Sequence, residues 1–214
     1  MILVLGVFEV EIDPIKRQLH LLETGQHLGR PFSRGVIGPN EVVVTYGFVG
    51  KVESAMVAQA FIDKFHPKVV VFTGSAGALS TFLQLGDVVI GDEYFEYDLG
   101  RRDGKVEIME GSVRLIEKVE DHVKEAFVGR IATGDSFVDN DEMREKIRRM
   151  TKSIAVDMDS AAIAKVCKEN KVEFVSIKTI TDRCNVEEFQ QNYHKYAGKS
   201  AALFLKIIDH HFIE

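Results

Sequence analysis

Lys68-Val69-Val70-Val71-Phe72-Thr73-Gly74-Ser75-Ala76-Gly77-Ala78-Leu79 decides the fold. Val69 to Phe72 are apolar on consecutive residues, so they do not alternate between a core and water; the run reads as a strand covered on both faces. The small residues after it read as a turn, because glycine lets the chain bend sharply and present main-chain N–H groups to a ligand oxygen or a water. Comparable runs recur at Ile2 to Gly6, Glu41 to Tyr46, Asp87 to Gly91, Gly129 to Thr133, Ser153 to Val156 and Phe174 to Ile180, with helical segments between them. That alternation predicts an α/β fold, a three-layer sandwich about a central sheet.

Helical patterns fit the outer layers. Gly50 to Phe65 is expected to turn Val52, Met56, Ala60 and Phe61 toward the sheet, with Lys51, Glu53 and Asp63 elsewhere. Asp159 to Lys168 repeats the design with Ala162, Ile163 and Val166 inward, and Glu187 to Phe212 reads as one long helix whose acidic start suits a helix N-terminus. Gly104 to Glu107 reads as a hairpin or loop tip. Without a Pro-, Gly- or Ser-rich linker, a repeat or a low-complexity tract, residues 1–214 are expected to form one domain.

Composition narrows the function. With 214 residues and 45% apolar content the chain can bury a sizeable core without disulfide staples. Its two cysteines, Cys167 in a helical pattern and Cys184 in a polar loop, read as reduced thiols of a cytoplasmic protein. A net charge of −6 and the lack of a basic stripe argue against nucleic acid; Arg101-Arg102 and Arg148-Arg149 are local surface pairs. Ile2 to Phe8 runs straight into Glu9 and Glu11, which suits a strand rather than a signal peptide, and no apolar stretch approaches the roughly twenty residues needed to span a bilayer. None of the seven histidines has a metal-ligand spacing, so neither metal nor cofactor is expected. Thr73 stands where a Gly-x-Ser-x-Gly elbow needs glycine, and the glycine tract has neither dinucleotide-fingerprint spacing nor a phosphate-loop lysine.

Three acidic places remain. Glu9 and Glu11 follow the first strand, Asp157 and Asp159 the sixth, and Asp182 the seventh. Singly each acid suits a helix cap or a solvated surface, and Asp159 is a natural helix-start residue. Jointly, acids just beyond the carboxyl ends of neighbouring strands would converge on one crevice, where α/β sheets bind ligands. A second turn, Thr133-Gly134-Asp135-Ser136-Phe137-Val138, offers Phe137 and Val138 either as ordinary core or as an apolar slot for a flat heterocycle.

In order along the chain, Gly6-Val7-Phe8-Glu9-Val10-Glu11, Gly50-Lys51-Val52, Thr73-Gly74-Ser75-Ala76-Gly77, Gly86-Asp87-Val88-Val89, Thr133-Gly134-Asp135-Ser136-Phe137, Val156-Asp157-Met158-Asp159 and Thr181-Asp182 resemble the motifs of 5′-methylthioadenosine/S-adenosylhomocysteine nucleosidases. The resemblance covers nearly the whole chain and implies a nucleoside phosphorylase-like domain with a central mixed β-sheet, usually a homodimer, that takes a small nucleoside. It implies hydrolysis of the N-glycosidic bond, in purine and methionine salvage. By the same resemblance Asp182 protonates adenine, Glu11 activates the water, and Ser75 with the backbone at Ala76 and Gly77 helps hold it. Asp159 holds the ribose hydroxyls, Met158 packs on the sugar, Phe137 and Val138 form the purine slot, Phe8 borders the pocket and Thr181 stands beside the acid.

This chain departs from the pattern at named positions. The family tract usually reads Val-Glu-Met-Glu, so Asp159 reaches less far by roughly 1.5 Å, one carbon–carbon bond. Lys178 stands where arginine is common near the water-activating glutamate, and Thr181 where serine is common. Three other functions stay in view: a purine nucleoside phosphorylase, a hydrolase of another nucleoside such as a futalosine-type one, and a nucleoside-binding protein with weak catalysis.

Overall fold

In the computed structural model, which describes residues 1–100, 107–123, 125–208 and 212, the apolar runs divide their side chains between two cores. Leu3, Leu5, Val70 and Phe72 point to one side of the sheet, and Ile2, Val4, Val69 and Val71 to the other. Period-two geometry sends neighbours to opposite faces, and both faces here are dry.

The elements, in chain order, are β1 (Ile2–Leu5), α1 (Asp13–Gln18), β2 (His20–His27), β3 (Arg30–Ile37), β4 (Asn40–Thr45), α2 (Lys51–Phe65), β5 (Val69–Ala78), β6 (Val88–Glu96), β7 (Ile108–Glu110), α3 (Val113–His122), β8 (Phe127–Thr133), α4 (Asp141–Thr151), β9 (Ala155–Asp157), α5 (Ser160–Asn170), β10 (Glu173–Asp182), α6 (Val186–Tyr196) and α7 (Lys199–Ile208). Helices α2 and α5 cover the first face through Val57, Phe61, Ile163 and Cys167. On the opposite face α1, α3 and α7 supply Ile15, Leu115, Val119, Phe204 and Ile207. The result is the expected α/β sandwich with a central mixed sheet.

Strand order is β10-β6-β8-β9-β5-β1-β4-β3-β2, and β10 also pairs with β5. That last pairing closes β5, β10, β6, β8 and β9 into a ring. β5 is its hub: β1 and β10 run parallel to it and β9 antiparallel. The residues that follow β1 and β9 and those that end β10 are therefore brought to the same stretch of β5.

Several expectations need correction. The tract Thr73 to Ala78 belongs to the strand, because β10 pairs with it from Ile177 opposite Thr73 to Asp182 opposite Gly77, with a register shift at Thr181, and β9 pairs with Ala78. Along α2 the buried residues are Ser54, Val57, Ala58, Phe61 and Ile62, while Val52 and Met56 are exposed. The inward stripe is thus displaced by about one residue toward the C-terminus from the one expected, with Phe61 common to both. The long C-terminal helix is two helices, α6 and α7, separated at Ala197-Gly198. Gly198 is packed against the Val10 carbonyl and Pro14, where a side chain would crowd both. Strands β2, β3 and β7 were not foreseen. Cys184 lies in the loop between β10 and α6, as expected, and is buried there. Arg101, Arg102, Gly104, His210 and His211 lie outside the described residues.

Candidate active site

Glu11 follows β1 in a short 3-10 turn, Glu9–Glu11, and is wholly buried. Oε2 accepts from the N–H groups of Val7 (2.8 Å) and Phe8 (3.1 Å), and Oε1 from the Ser75 N–H (3.1 Å) and Oγ (3.0 Å). Gly74 makes room for it. With φ at +152°, a conformation L side chains rarely adopt, a Cβ at this position would stand 3.0 Å from the Glu11 carboxyl.

Asp182 ends β10 at the same stretch of β5. Its Oδ2 accepts from Thr181 Oγ1 (3.0 Å), and Oδ1 from the N–H of Cys184 (2.8 Å) and Asn185 (3.4 Å). Burial disfavours the charged form and outweighs these hydrogen bonds, so its pKa rises from 3.8 to about 6. Such a carboxyl group holds a proton close to neutral pH.

The tract after β9 divides its work. Asp159 occupies the N-cap position of α5 but makes no capping bond with its side chain. Asp157 does that job: its carboxylate accepts from the N–H groups of Asp159 and Ser160 and from Ser160 Oγ. It also accepts from Thr133 Oγ1 (2.7 Å) and pairs with Lys178 Nζ at 3.1 Å. Lys178 is buried with its ammonium 3.4 Å from the Phe72 ring centroid. Its backbone lies opposite Gly74, the residue against which the Glu11 carboxyl packs, while its ammonium pairs with Asp157.

Asp159 is 3% exposed, and its Oδ1 accepts from Gly50 N (2.8 Å) and Ser54 Oγ (2.7 Å) at the start of α2. Burial first, and the neighbouring Asp157 charge second, push its pKa upward; Lys178 and these two donors oppose that rise. The Thr133-to-Val138 turn is tied to the same helix start, since Asp135 Oδ1 accepts from Lys51 N at 2.8 Å. Lys51 Nζ in turn reaches Asp98 at 2.6 Å.

Between these groups lies a cleft of about 610 Å³, its open mouth included. Its walls are mostly apolar, and no Lys, Arg or His lines it among the described residues. A model of the phosphorylase superfamily matches residues 1–209. Over 213 residues, 97% of this chain and 98% of the relative, the sequence is 48% identical to the 5′-methylthioadenosine/S-adenosylhomocysteine nucleosidase of Thermotoga maritima.

The chain belongs to this nucleosidase family.

Solved structures agree on the fold. The futalosine hydrolase of Helicobacter pylori strain 26695 superposes with a TM-score of 0.91 at 28% identity, covering 97% of each chain. The S-adenosylhomocysteine nucleosidase of Streptococcus pyogenes, in complex with 5-methylthiotubericidin, superposes with a TM-score of 0.91 at 26% identity, covering 97% of this chain and 95% of that one.

Of the residues that the nucleosidase resemblance singles out, Phe8, Ser75, Ala76, Gly77, Phe137, Val138, Met158, Asp159, Thr181 and Asp182 line the cleft together. Glu11 stands behind the wall, joined to it through Val7, Phe8 and Ser75. Sequence reading missed Val49, Phe189 and Ser54 on α2. Phe189 faces the cleft 5.5 Å from the Phe137 ring and 4.9 Å from that of Tyr193, one helical turn along α6. The i, i+4 spacing of Phe189 and Tyr193 was the available signal.

Proposed function

We propose that this enzyme hydrolyses the N-glycosidic bond of 5′-methylthioadenosine and S-adenosylhomocysteine, releasing adenine and the 5-substituted ribose. The observation that carries the reading is a carboxyl group with a pKa near 6, Asp182, on an apolar cleft opposite Asp159, with buried Glu11 at its back. Asp182 gives its proton to N7 of adenine. The C1′–N9 bond breaks with its electron pair leaving on N9, so the base departs neutral. Asp159 accepts hydrogen bonds from the ribose and favours the positive charge that develops on the sugar. Water attacks C1′ and its proton passes to Glu11, which meets the cleft through Ser75 Oγ.

Adenine lies between Phe137, Val138 and Phe189, Met158 packs on the sugar, and Phe8 borders the site. Ala76, Gly77 and Thr181 complete the wall beside Asp182. No cofactor enters these steps. Residues 1–214 act as one nucleosidase unit. Support for a homodimer comes from Val49, which lines the cleft, and from Val52 and Met56 on α2, all exposed apolar side chains. A cytoplasmic setting is in keeping with the free thiols Cys167 and Cys184; among the described residues no helix is long and apolar enough to cross a membrane.

Phosphorolysis would place a phosphate dianion in a cleft that has no basic lining among the described residues and is backed by Glu11, an arrangement that repels it. A futalosine-type substrate is the second reading, favoured by the likeness to futalosine hydrolase. A nucleoside panel followed by liquid chromatography separates them. Adenine release from 5′-methylthioadenosine and S-adenosylhomocysteine supports the proposal; binding without base release, or release from futalosine alone, overturns it.

A further inference from the structure

We infer that Ser54 is a positioning residue that, with the Gly50 N–H, pins Oδ1 of Asp159, so that this carboxylate meets ribose through Oδ2 alone. The inference rests on the nucleoside reading above. Oδ1 accepts from Gly50 N at 2.8 Å and from Ser54 Oγ at 2.7 Å. A carboxylate oxygen has two lone-pair directions in its plane, and these two donors occupy both. Oδ2 has no hydrogen-bond partner among the described residues, and Asp159 lines the cleft.

The arrangement differs from ordinary capping. Asp159 sits where a carboxylate would cap α5, yet Asp157 takes that task and Asp159 turns to the start of α2. Ser54 is wholly buried, and its hydroxyl donates to Asp159. Two further features oppose the upward push of burial and Asp157 on the Asp159 pKa: the positive N-terminal end of α2 and the buried Lys178. An aspartate has a short reach. Fixing one oxygen from α2 sets where the other points, and the cost is the two-oxygen grip that could take both ribose hydroxyls equally.

The consequence is a substrate preference. One ribose hydroxyl should matter far more than the other, because a single oxygen gives its best geometry to a single donor. The test measures kcat/KM for adenosine, 2′-deoxyadenosine and 3′-deoxyadenosine with the wild type and with Ser54→Ala. For the wild type, one deoxy analogue should lose at least about tenfold, the size of one charge-assisted hydrogen bond, and the other clearly less. In Ser54→Ala the freed carboxylate rotates, so KM for adenosine should rise about tenfold and the gap between the analogues narrow. Inhibition by adenine, which makes no ribose contact, should stay unchanged.

Equal losses for both analogues in the wild type would overturn the inference. So would an unchanged Ser54→Ala enzyme, or one whose adenine inhibition weakens as much as its KM, which marks a general structural defect. Should the wild type release no adenine from any nucleoside, the hydrolase reading fails by itself. Calorimetric binding of the same three nucleosides then decides the pinning by the same ratios, and absence of binding overturns it.

Discussion

Replacing Asp182 with asparagine separates what its proton does for catalysis from what its burial does to stability. Its pKa stands at about 6 against an ordinary 3.8, because burial outweighs the hydrogen bonds from Thr181, Cys184 and Asn185. An acid catalyst must carry its proton, so the Asp182 contribution to kcat/KM falls as pH rises through about 6, while ionisation of Asp159, whose pKa is also raised, works in the opposite sense. Between pH 5 and pH 7 the protonated fraction of Asp182 drops from about nine-tenths to about one-tenth, roughly tenfold. The stability effect has the same origin. The folded state holds this proton more tightly than the unfolded chain, so the contribution is full below 3.8 and is lost as pH rises to about 6. A shift of about two units is on the order of 3 kcal/mol. Asparagine imitates the neutral form, keeps an acceptor for Cys184 N–H and does not ionise. The variant should therefore gain on the wild type by up to about 3 kcal/mol between pH 4 and pH 6.5, while losing turnover and keeping nucleoside binding. Urea denaturation of both proteins across that range gives the difference directly. A stability difference flat with pH, or a variant that still turns over, would refute the reasoning.

Other perturbations reach other parts of the account. Lys178→Met strands the buried Asp157 carboxylate and should destabilise the fold by about 3–5 kcal/mol in urea, with Lys178→Met/Asp157→Asn recovering most of it; full stability of the single variant would show that the pair does not matter. Gly74→Ala puts a methyl 3.0 Å from the Glu11 carboxyl at a strained φ, so thermal melts should show a loss above about 1 kcal/mol and kcat should fall with it. Phe137→Ala removes a ring from the cleft wall, and KM should rise about tenfold while adenine inhibition weakens in parallel; an unchanged adenine constant would move the base elsewhere.

Much of this was legible in the sequence because burial on both faces leaves a plain mark. Val69 to Phe72 and Ile2 to Leu5 carry apolar side chains on every residue, and both are central strands. The β2–β3 hairpin escaped notice for the opposite reason: β2 is an exposed edge strand with a mostly polar sequence, so no periodicity reports it. The inward stripe of α2 was misplaced because Val52 and Met56 fit a helical period as well as Val57 and Phe61 do, and apolar type alone does not distinguish a core from an exposed face. At the site, Glu11, Asp159 and Asp182 were readable as acids following separate strands. Their convergence depended on three strands sharing β5 as a neighbour. Ser54 and Lys178 were illegible in their roles, since their partners lie 105 and 21 residues away: 159 − 54 and 178 − 157.

The most direct test of the central claim is the product formed from 5′-methylthioadenosine with and without inorganic phosphate. Water as the nucleophile predicts the same rate of adenine release in phosphate-free buffer and free 5-methylthioribose as the sugar product in both. Release that requires phosphate and yields a ribose 1-phosphate ester would contradict it.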